Sequence, residues 1–234
     1  MPTVAYATFC CPKDMKRALS SATDHMRSHG YEFDELYLVF QRCWDGGWVP
    51  LTGLGNVPQF KPLRILDEDY PTILKTFGIN YPDPVLDELT HGCEDPHFWA
   101  HHCVNHLRVL METKAEYVVF SDADCYMKSQ PDGKSWVTEG IKLLETNPSI
   151  YVVSPNEGGD ERPERVMSQQ MFLVKTKALL GMECIPWDGK FIEGGPFQEF
   201  YGLLEGWIYR YMLKHNLWRY VLGPEYRYWH LQWA

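Results

Sequence analysis

The sequence lacks several features that would assign a chain to a class at once. No apolar run approaches the roughly 20 residues that a membrane span needs, so no transmembrane helix is expected. Residues 1–6 carry no basic n-region and are not expected to form a signal peptide. No CxxC pair occurs, and the seven scattered cysteines are an odd number. We therefore expect reduced, mostly buried thiols and a cytoplasmic location.

Positive charge is also scarce, since 22 Lys and Arg stand against 31 Asp and Glu, for a formal net charge of −9. Proteins that grip bulk duplex nucleic acid need a basic footprint, so that class is not expected. No P-loop or G-x-S-x-G pattern occurs, and Gly53-Leu54-Gly55 lacks the third glycine of a dinucleotide loop. Aromatic residues are abundant at 15%. Those in the last third predict core positions and, for some, a stacking platform for an acceptor.

Apolar runs alternate with helical patterns along most of the chain. The patterns predict strands at 3–8, 35–40, 63–66, 117–120, 150–153 and 171–174, and helices at 13–29, 95–111, 136–145 and 197–215. This alternation predicts an α/β fold with helices on both faces of one sheet. The polar stretch 155–165 predicts a surface loop, with a mobile lid as the alternative.

The most informative pattern is Ser121-Asp122-Ala123-Asp124, which directly follows the apolar strand 117–120. In open α/β sheets, ligands bind at the carboxyl ends of the strands. Two carboxylates two residues apart can both approach one hard cation such as Mg²⁺ or Mn²⁺. A turn in which Asp caps the next segment is the alternative. The position after a central strand favours a cation site.

Residues 116–125, Glu-Tyr-Val-Val-Phe-Ser-Asp-Ala-Asp-Cys, resemble the DxD strand of nucleotide-sugar glycosyltransferases with the GT-A fold. The first strand and its helix fit the same pattern in outline. The resemblance implies an α/β, GT-A type fold with a Rossmann-like mixed central sheet, and a single catalytic domain over 1–234. About 1–127 would bind the nucleotide sugar, and about 128–234 would bind the acceptor. The chain is similar both to inverting family-2-like enzymes and to retaining glycogenin-like ones.

The resemblance implies a cation site of three residues. Asp122 would contact the ribose and, through water, the cation, whereas Asp124 would bind the cation directly. A histidine near the C-terminus often completes the site, and His230 in Tyr-Trp-His-Leu occupies that place. Read alone, His230 predicts a partly buried histidine in an aromatic cluster.

The resemblance also implies contacts to the nucleotide. Thr8, at the end of the first strand, and Asp67, after the third, would border the nucleobase and ribose. The helix before the DxD strand often carries a basic residue facing the diphosphate. The matching segment here is Asn105-His106-Leu107-Arg108, with His106 as the candidate.

The base that an inverting reaction requires has two candidates. Glu205, with Arg210 one turn later, resembles a reduced form of the acidic-pair helix start of such enzymes, and Glu199 is its rival. A solvated Glu on an amphipathic helix is the alternative. A retaining reaction would instead use polar contacts, for which Gln169, Gln170 and Gln198 are available. The stereochemistry stays open.

A second cluster consists of histidines on the predicted helix 95–111. His97 and His101, like His102 and His106, have the i, i+4 spacing of helical zinc sites. No HExxH glutamate is present, so metalloprotease chemistry is not expected. The readings that remain are a polar helix face, a structural zinc site, or a phosphate-facing His102 or His106.

Together these patterns predict a glycosyltransferase that uses Mn²⁺ or Mg²⁺ and a nucleotide-diphosphate sugar as donor. The acceptor is a saccharide or another hydroxyl compound, with a modified nucleic-acid base as a further alternative. A sugar nucleotidyltransferase is the second hypothesis, although Phe9-Cys10-Cys11-Pro12 stands where its Gly-rich loop would be. A non-catalytic carbohydrate-binding protein is the third.

Overall fold

A computed structural model of the chain describes residues 2–10, 15–40, 57, 59–78, 98–128, 130–158, 161–166, 168, 170–183 and 204–230. The strands are β1 (Val4–Cys10), β2 (Glu35–Phe40), β3 (Lys61–Arg64), β4 (Tyr117–Asp122), β5 (Cys125–Met127), β6 (Ile150–Ser154), β7 (Arg162–Glu164), β8 (Met171–Lys175), β9 (Trp218–Val221) and β10 (Tyr228–His230). The helices are α1 (Met15–Ser28), α2 (Tyr70–Thr76), α3 (Phe98–Glu112), α4 (Trp136–Thr146), α5 (Thr176–Leu180) and α6 (Leu204–Lys214).

Eight of these strands form one mixed sheet in the order β3-β2-β1-β4-β8-β6-β9-β7. The first four are parallel to one another. The reversed strand β8 runs antiparallel to both β4 and β6. β9 then runs parallel to β6, and β7 runs antiparallel to β9. The predicted mixed α/β sheet is therefore confirmed.

Both faces of the sheet are covered by helices, as predicted. Successive side chains of a strand point to opposite faces. On β1, one set joins the buried cluster that contains α2, α3 and α6, and the other joins the cluster that contains α1 and α4. The first set is Ala5, Ala7 and Phe9, and the second is Val4, Tyr6 and Cys10. Every residue of β1 is buried, which explains why its sequence shows little polar alternation.

The close packing of α4 against the sheet depends on a glycine. A Cβ added to Gly140 would lie 2.7 Å from Cδ2 of Leu173 on β8, which is closer than carbon atoms can approach. Ser135 caps the same helix, since its side chain accepts a hydrogen bond from the amide of Val137. The helix therefore starts where the sequence predicts it and lies directly on the sheet.

Several short elements differ from the prediction. β3 begins at Lys61, two residues earlier than expected, and β7 lies within the stretch 155–165 that was predicted to be a loop. β5, β9 and β10 were not predicted, because strands of three or four residues have too few positions to show alternation. Met111, the last residue of the helix predicted at 95–111, is 39% exposed near the end of α3.

The two cysteine side chains that the structure describes agree with the expectation of buried, reduced thiols. They are Cys10 and Cys125, and both are buried. Among the helices within the described ranges, none has the length and apolar character to cross a bilayer.

A buried histidine links α1 to α4. The His29 side chain has no exposed surface, and its Nδ1 accepts a 2.9 Å hydrogen bond from the indole Nε1 of Trp136. The carbonyl of His29 accepts a second bond, of 2.7 Å, from the hydroxyl of Ser135. Burial, with a smaller contribution from nearby His25, lowers the pKa of His29 from 6.5 to about 3. The ring is therefore neutral in the folded protein at physiological pH.

We predict that His29 makes the fold acid-sensitive. Between about pH 6.5 and about pH 3 the unfolded chain binds a proton at this position that the folded chain does not. As the pH is lowered through this range, His29 therefore lowers the unfolding free energy by about 1.4 kcal/mol per pH unit. Urea unfolding between about pH 7 and about pH 5 should therefore give a shallower pH slope in His29→Gln than in the wild type. His215→Gln, at an exposed position, should keep the wild-type slope. Equal slopes in all three proteins would contradict the prediction.

Candidate functional site

The candidate site lies where β1 and β4 end side by side. The chain leaves β1 towards β2 on one side and later enters β4 on the other side. Such a switch in strand order opens a crevice at the carboxyl ends of the two strands. In the register of β1 and β4, Thr8 lies opposite Ser121 and Phe9 lies opposite Asp122. The fold thus brings the predicted residues Thr8 and Asp122 to adjacent strand ends.

Two carboxylates and a thiol meet at this edge. The ligand atoms of Asp122, Asp124 and Cys125 lie within 4.8 Å of one another. Asp124 is only 7% exposed, and its Oδ1 lies 3.9 Å from the Cys125 sulfur. The amide of Asp122 donates a 2.8 Å hydrogen bond to the carbonyl of Gln170, which fixes the backbone at the first carboxylate. Two clustered carboxylates fit a hard divalent cation that prefers oxygen ligands.

The thiol of Cys125 has a different character from the carboxylates. Burial raises its pKa, and the negative charges of Asp122, Asp124 and Glu157 raise it further. In the absence of a cation the thiol is therefore neutral near pH 7, and the negative charge of the cluster belongs to the two carboxylates.

The backbone of His230 reaches the same cluster through a short ribbon. β5 and β10 pair in antiparallel orientation, with His230 opposite Cys125, Trp229 opposite Tyr126 and Tyr228 opposite Met127. The third predicted ligand is thus in register with the residue that follows Asp124, although the two are more than 100 positions apart in the sequence. The His230 side chain lies outside what the structure describes, so its role as a ligand stays a prediction.

Asn156 holds β10 in this register. Its amide donates to the carbonyl of Tyr226 (2.8 Å), and its own carbonyl accepts from the amide of Tyr228 (3.1 Å). Its side chain donates to the carbonyl of Leu222 (2.9 Å) and accepts from the amide of Gly158 (2.7 Å). Asn156 has no exposed surface. One buried side chain therefore connects the end of β6 to the segment that leads into β10.

A buried arginine adds a second connection in the same region. Arg219 on β9 is 1% exposed, and its Nε donates to the hydroxyl of Ser154 (2.9 Å). Its terminal nitrogens form ion pairs with the carboxylates of Glu164 (2.9 Å) and Glu157. The carbonyl of Val166 accepts a further bond of 3.1 Å. Two carboxylates and two neutral acceptors thus compensate for the desolvation of one buried charge.

Gln170 connects this region to the DxD strand. Its carbonyl accepts from the amide of Asp122, and its side-chain oxygen accepts a 3.1 Å bond from the hydroxyl of Tyr228. Gln169 and Gln198, the other two amides that the sequence offered, lie outside the described residues.

The predicted diphosphate contact, His106, lies in an aromatic cluster on α3. Its ring centre is 4.3 Å from that of Phe9, 4.9 Å from that of Phe120 and 6.0 Å from that of Phe172, and the residue is 3% exposed. Phe9 and Phe120 belong to the two strands that border the crevice, so His106 lies beneath its floor. Its contact with a nucleotide stays a prediction.

Arg108, the nearest basic residue on α3, faces another direction. Its guanidinium pairs with Glu112 at 2.7 Å, and Glu112 also binds Lys61 at 2.8 Å. Because Lys61 is the first residue of β3, this trio lies towards the amino ends of the parallel strands. Arg108 is therefore directed away from the carboxyl edge where a diphosphate was expected.

Glu205 lies in the first turn of α6. Near the other end of the helix, the ring of Tyr211 lies 5.2 Å from that of Tyr151 at the start of β6. Because β6 runs parallel to β4, the first turn of α6 points towards the carboxyl edge that holds Asp122. Glu199 lies outside the described residues.

Asp67 and the histidine cluster are described only in part. Asp67 begins a 3-10 turn, Asp67–Asp69, just after β3, and its backbone is therefore near the same carboxyl edge. Its side chain lies outside what the structure describes. The same holds for the side chains of His97, His101 and His102, so the zinc hypothesis stays untested.

The residues that hold the ribbon are hard to recognise from the sequence. Asn156 stands in a Pro-Asn-Glu-Gly-Gly stretch that is typical of a surface loop, and no local pattern distinguishes it from an ordinary turn residue. Arg219 had one usable signal, a charged residue between aromatic and apolar neighbours in Trp-Arg-Tyr-Val. A buried charge of this kind requires partners that only the folded chain supplies.

Comparison with known proteins gives similarity to solved structures alone, since no protein-family model and no curated protein matches the chain. Similar structures include S. aureus TarS 1-349, at 13% identity and a TM-score of 0.47, over 97% of this chain and 59% of that one. Another is the mannosyltransferase PcManGT from Pyrobaculum calidifontis in complex with GDP-Man and Mn²⁺, at 14% identity and a TM-score of 0.42, over 76% and 46%. A third is glucosyl-3-phosphoglycerate synthase from Mycobacterium tuberculosis in complex with Mn²⁺, UDP and phosphoglyceric acid, at 13% identity and a TM-score of 0.37, over 75% and 56%.

The matches therefore span 46–59% of the length of those proteins. One of these proteins is named as a mannosyltransferase and another as a glucosyl-3-phosphoglycerate synthase. With identities of 13–14% and TM-scores below 0.5, the likeness is one of outline. No activity or residue role is transferred from them to this chain.

We predict that Asn156→Ala loosens β10 from the rest of the fold. Loss of the side-chain bond to Leu222 leaves a buried carbonyl unpaired, which should cost about 1–3 kcal/mol of unfolding free energy, and the bond to the Gly158 amide is lost as well. Hydrogen exchange at the Tyr228 amide, which donates to the Asn156 carbonyl, should become faster. Asn147→Ala is the control, since its side chain bonds only the exposed Ser149 turn. Unchanged exchange at Tyr228 in Asn156→Ala would show that the ribbon is held by other contacts.

Proposed function

We propose that this chain is a metal-dependent glycosyltransferase that moves a sugar from a nucleotide-diphosphate sugar to an acceptor hydroxyl. The observation that carries the proposal is the position of Asp122 and Asp124 at the switch point between β1 and β4. In α/β sheets this is the place where a nucleotide is bound. A carboxylate pair there would repel a diphosphate unless a cation lay between them.

The residues of the cluster fit Mn²⁺ or Mg²⁺. Asp124, buried and beside Asp122, supplies one carboxylate, Asp122 supplies the second, and His230 enters through the β5–β10 ribbon as the third ligand of the proposal. When bound, such a cation would neutralise the negative charge of the departing nucleoside diphosphate. The Asp122 side chain would also contact the ribose.

The nucleotide would lie along the carboxyl edge of the parallel strands. Thr8, buried opposite Ser121, and Asp67, in the turn after β3, border the proposed base and ribose positions. His106 supports the crevice from below through its contacts with Phe9 and Phe120. Its role would be to position the floor beneath the diphosphate.

The acceptor would be bound by the second half of the chain. Glu205, in the first turn of α6 at the same edge, is the proposed base that accepts the acceptor hydroxyl proton if the reaction inverts, with Glu199 as its rival. The proposal includes one catalytic domain with the nucleotide half at about 1–127 and the acceptor half at about 128–234. It also includes a cytoplasmic location, in keeping with the buried, reduced thiols of Cys10 and Cys125.

We predict that the protein hydrolyses one or more nucleotide sugars in the presence of Mn²⁺ or Mg²⁺, and that Asp124→Asn lowers this turnover by about 100-fold or more. The measurement is nucleoside diphosphate released from a panel of donors without acceptor. Asp132→Asn is the matched control, because Asp132 is an exposed acid outside the cluster. Metal binding, measured by calorimetry with Mn²⁺ alone, should weaken in Asp124→Asn and not in Asp132→Asn.

Two outcomes would contradict the proposal. If Asp124→Asn keeps its turnover and still requires a metal, the cation does not bind at this cluster. Release of pyrophosphate from a nucleoside triphosphate and a sugar 1-phosphate would identify a sugar nucleotidyltransferase, which shares an acidic cation site.

A further inference from the structure

Glu157 is a half-exposed carboxylate that a buried cation holds in place. The Arg219 guanidinium forms ion pairs with Oε1 of Glu157, whose side chain is 39% exposed, and with Glu164. Arg219 itself is buried and is fixed by further bonds to the hydroxyl of Ser154 and the carbonyl of Val166. Among the described residues, no donor bonds the second carboxylate oxygen of Glu157. One oxygen of a fixed carboxylate is therefore open to a ligand.

The backbone on both sides of Glu157 is fixed as well. The side chain of Asn156 accepts a 2.7 Å hydrogen bond from the amide of Gly158, which closes a turn around Glu157. Gly158 has a φ of +115°, a conformation that residues with a side chain rarely adopt. A ligand that binds this carboxylate would therefore have little conformational entropy to remove.

The pairing of this turn with the segment that leads into β10 gives the direction of the Glu157 side chain. Asn156 and Arg227 form a parallel β-bridge. Their side chains therefore lie on one side of the bridge, and those of the next residues, Glu157 and Tyr228, lie on the other. In the β5–β10 ribbon, Tyr228 is on the same face as Cys125, the thiol of the cation cluster. Glu157 thus points to the side of the ribbon that holds the cluster.

The charge of Glu157 acts on both of those side chains. Burial raises the pKa of the Tyr228 hydroxyl, and the negative charge of Glu157 raises it further. Burial is also the largest cause of the raised pKa of the Cys125 thiol, to which Glu157 contributes together with the two aspartates. The Tyr228 hydroxyl bonds the side chain of Gln170, whose carbonyl accepts from the amide of Asp122. Glu157 is therefore linked through short contacts to the strand end that carries the cluster.

Arg219 places Glu157 on the α6 side of the sheet. Arg219 lies opposite Val152 in the pairing of β9 with β6, and Val152 belongs to the buried cluster that contains α3 and α6. Ser154, which bonds Arg219, is the last residue of β6 and therefore lies at the carboxyl edge. The first turn of α6, with Glu205, points towards the same edge. Glu157 thus lies where the second half of the chain would meet the acceptor.

The charges around Glu157 favour an uncharged ligand over an anionic one. Glu157 and Glu164 share one guanidinium, so this group keeps one negative charge. Asp122 and Asp124 at the same edge are negative until a cation neutralises them. Arg227 lies on the other side of the bridge and does not offset these charges. An anionic sugar would be repelled here, whereas hydroxyl groups would donate charge-assisted hydrogen bonds to the open oxygen of Glu157.

We propose that Glu157 binds the acceptor, and that the acceptor is an uncharged saccharide whose hydroxyl groups donate to this carboxylate. The inference rests on the proposed function, because it names a binding residue and the acceptor class of the same site. Arg219 is then a positioning residue that holds the carboxylate without contact to the ligand. Glu157 orients the acceptor, and Glu205 stays the proposed base.

Pairs of sugars that differ in charge test the acceptor class. Ligand-observed NMR titrations of the whole chain with Mg²⁺ would compare glucose, galactose and mannose with glucuronic, galacturonic and mannuronic acid. We expect at least one neutral sugar to bind about fivefold or more tightly than its uronic acid. Glu157→Gln should weaken binding of that neutral sugar about fivefold or more, because an amide is a weaker acceptor than a carboxylate. The ratio of the two affinities should fall towards one, because the repelling charge is lost.

Glu161→Gln is the matched control. Glu161 lies in the same acidic segment, but its carboxylate accepts from the exposed hydroxyl of Tyr220 and not from Arg219. This variant should bind both members of each sugar pair as the wild type does.

Three results would overturn the inference. They are the absence of binding by every neutral sugar, uronic acids that bind as tightly as their neutral partners, and an equal loss of both affinities in Glu157→Gln. The last result would indicate a merely structural role. Donor hydrolysis separates this inference from the proposed function. If the wild type hydrolyses a nucleotide sugar but Glu157→Gln binds sugars normally, the inference alone fails. If no donor is hydrolysed while sugar binding still depends on Glu157, the proposed function fails and the saccharide site remains.

Discussion

The pairing of β1 with β4 is the constraint on which the rest of this structure depends. β1 is wholly buried between two parallel neighbours, so its residues are apolar and both faces of the sheet must be covered by helices. The only polar opening left to these strands is at their ends. Because β2 and β4 lie on opposite sides of β1, the connections diverge there and leave a crevice. Thr8 and Asp122 take their positions from that pairing, and the hydrogen bond from the Asp122 amide to the carbonyl of Gln170 fixes the second of them further.

The short strands at the far edge of the sheet and in the β5–β10 ribbon are held by polar groups as well as by apolar burial. β7, β9 and β10 are too short to specify their register by alternation of apolar side chains. Arg219 and Asn156 supply that information, because each must find several partners at defined positions once it is buried. A shift of β9 by one residue would separate the guanidinium from Ser154, Glu157 and Glu164 together. The penalty for such an unpaired buried charge exceeds the gain from any alternative apolar contact.

This division explains how much the sequence could predict. Strands such as 117–120 can be predicted from their continuous apolar runs. The carboxylates that follow them can be placed in a binding site, because ligands of open α/β sheets bind at the carboxyl ends of the strands. The pairing of His230 with Cys125 joins segments more than 100 residues apart and leaves no periodic trace in either. Arg108 shows the complementary case. The direction of its side chain is set by Glu112, a partner one helical turn away that forms a local ion pair.

The electrostatic arrangement of the carboxyl edge resolves an apparent conflict in the composition. An acidic chain is a poor receptor for a diphosphate, and the carboxylates of Asp122 and Asp124 make the crevice locally more repulsive. A divalent cation between those carboxylates reverses the sign at that point only. The basic side chains described nearby do not offset the carboxylates directly, since Arg219 is buried with its own acids and Lys128 and Arg227 face outward on the ribbon. Binding of a negative group at the crevice would therefore depend on the cation.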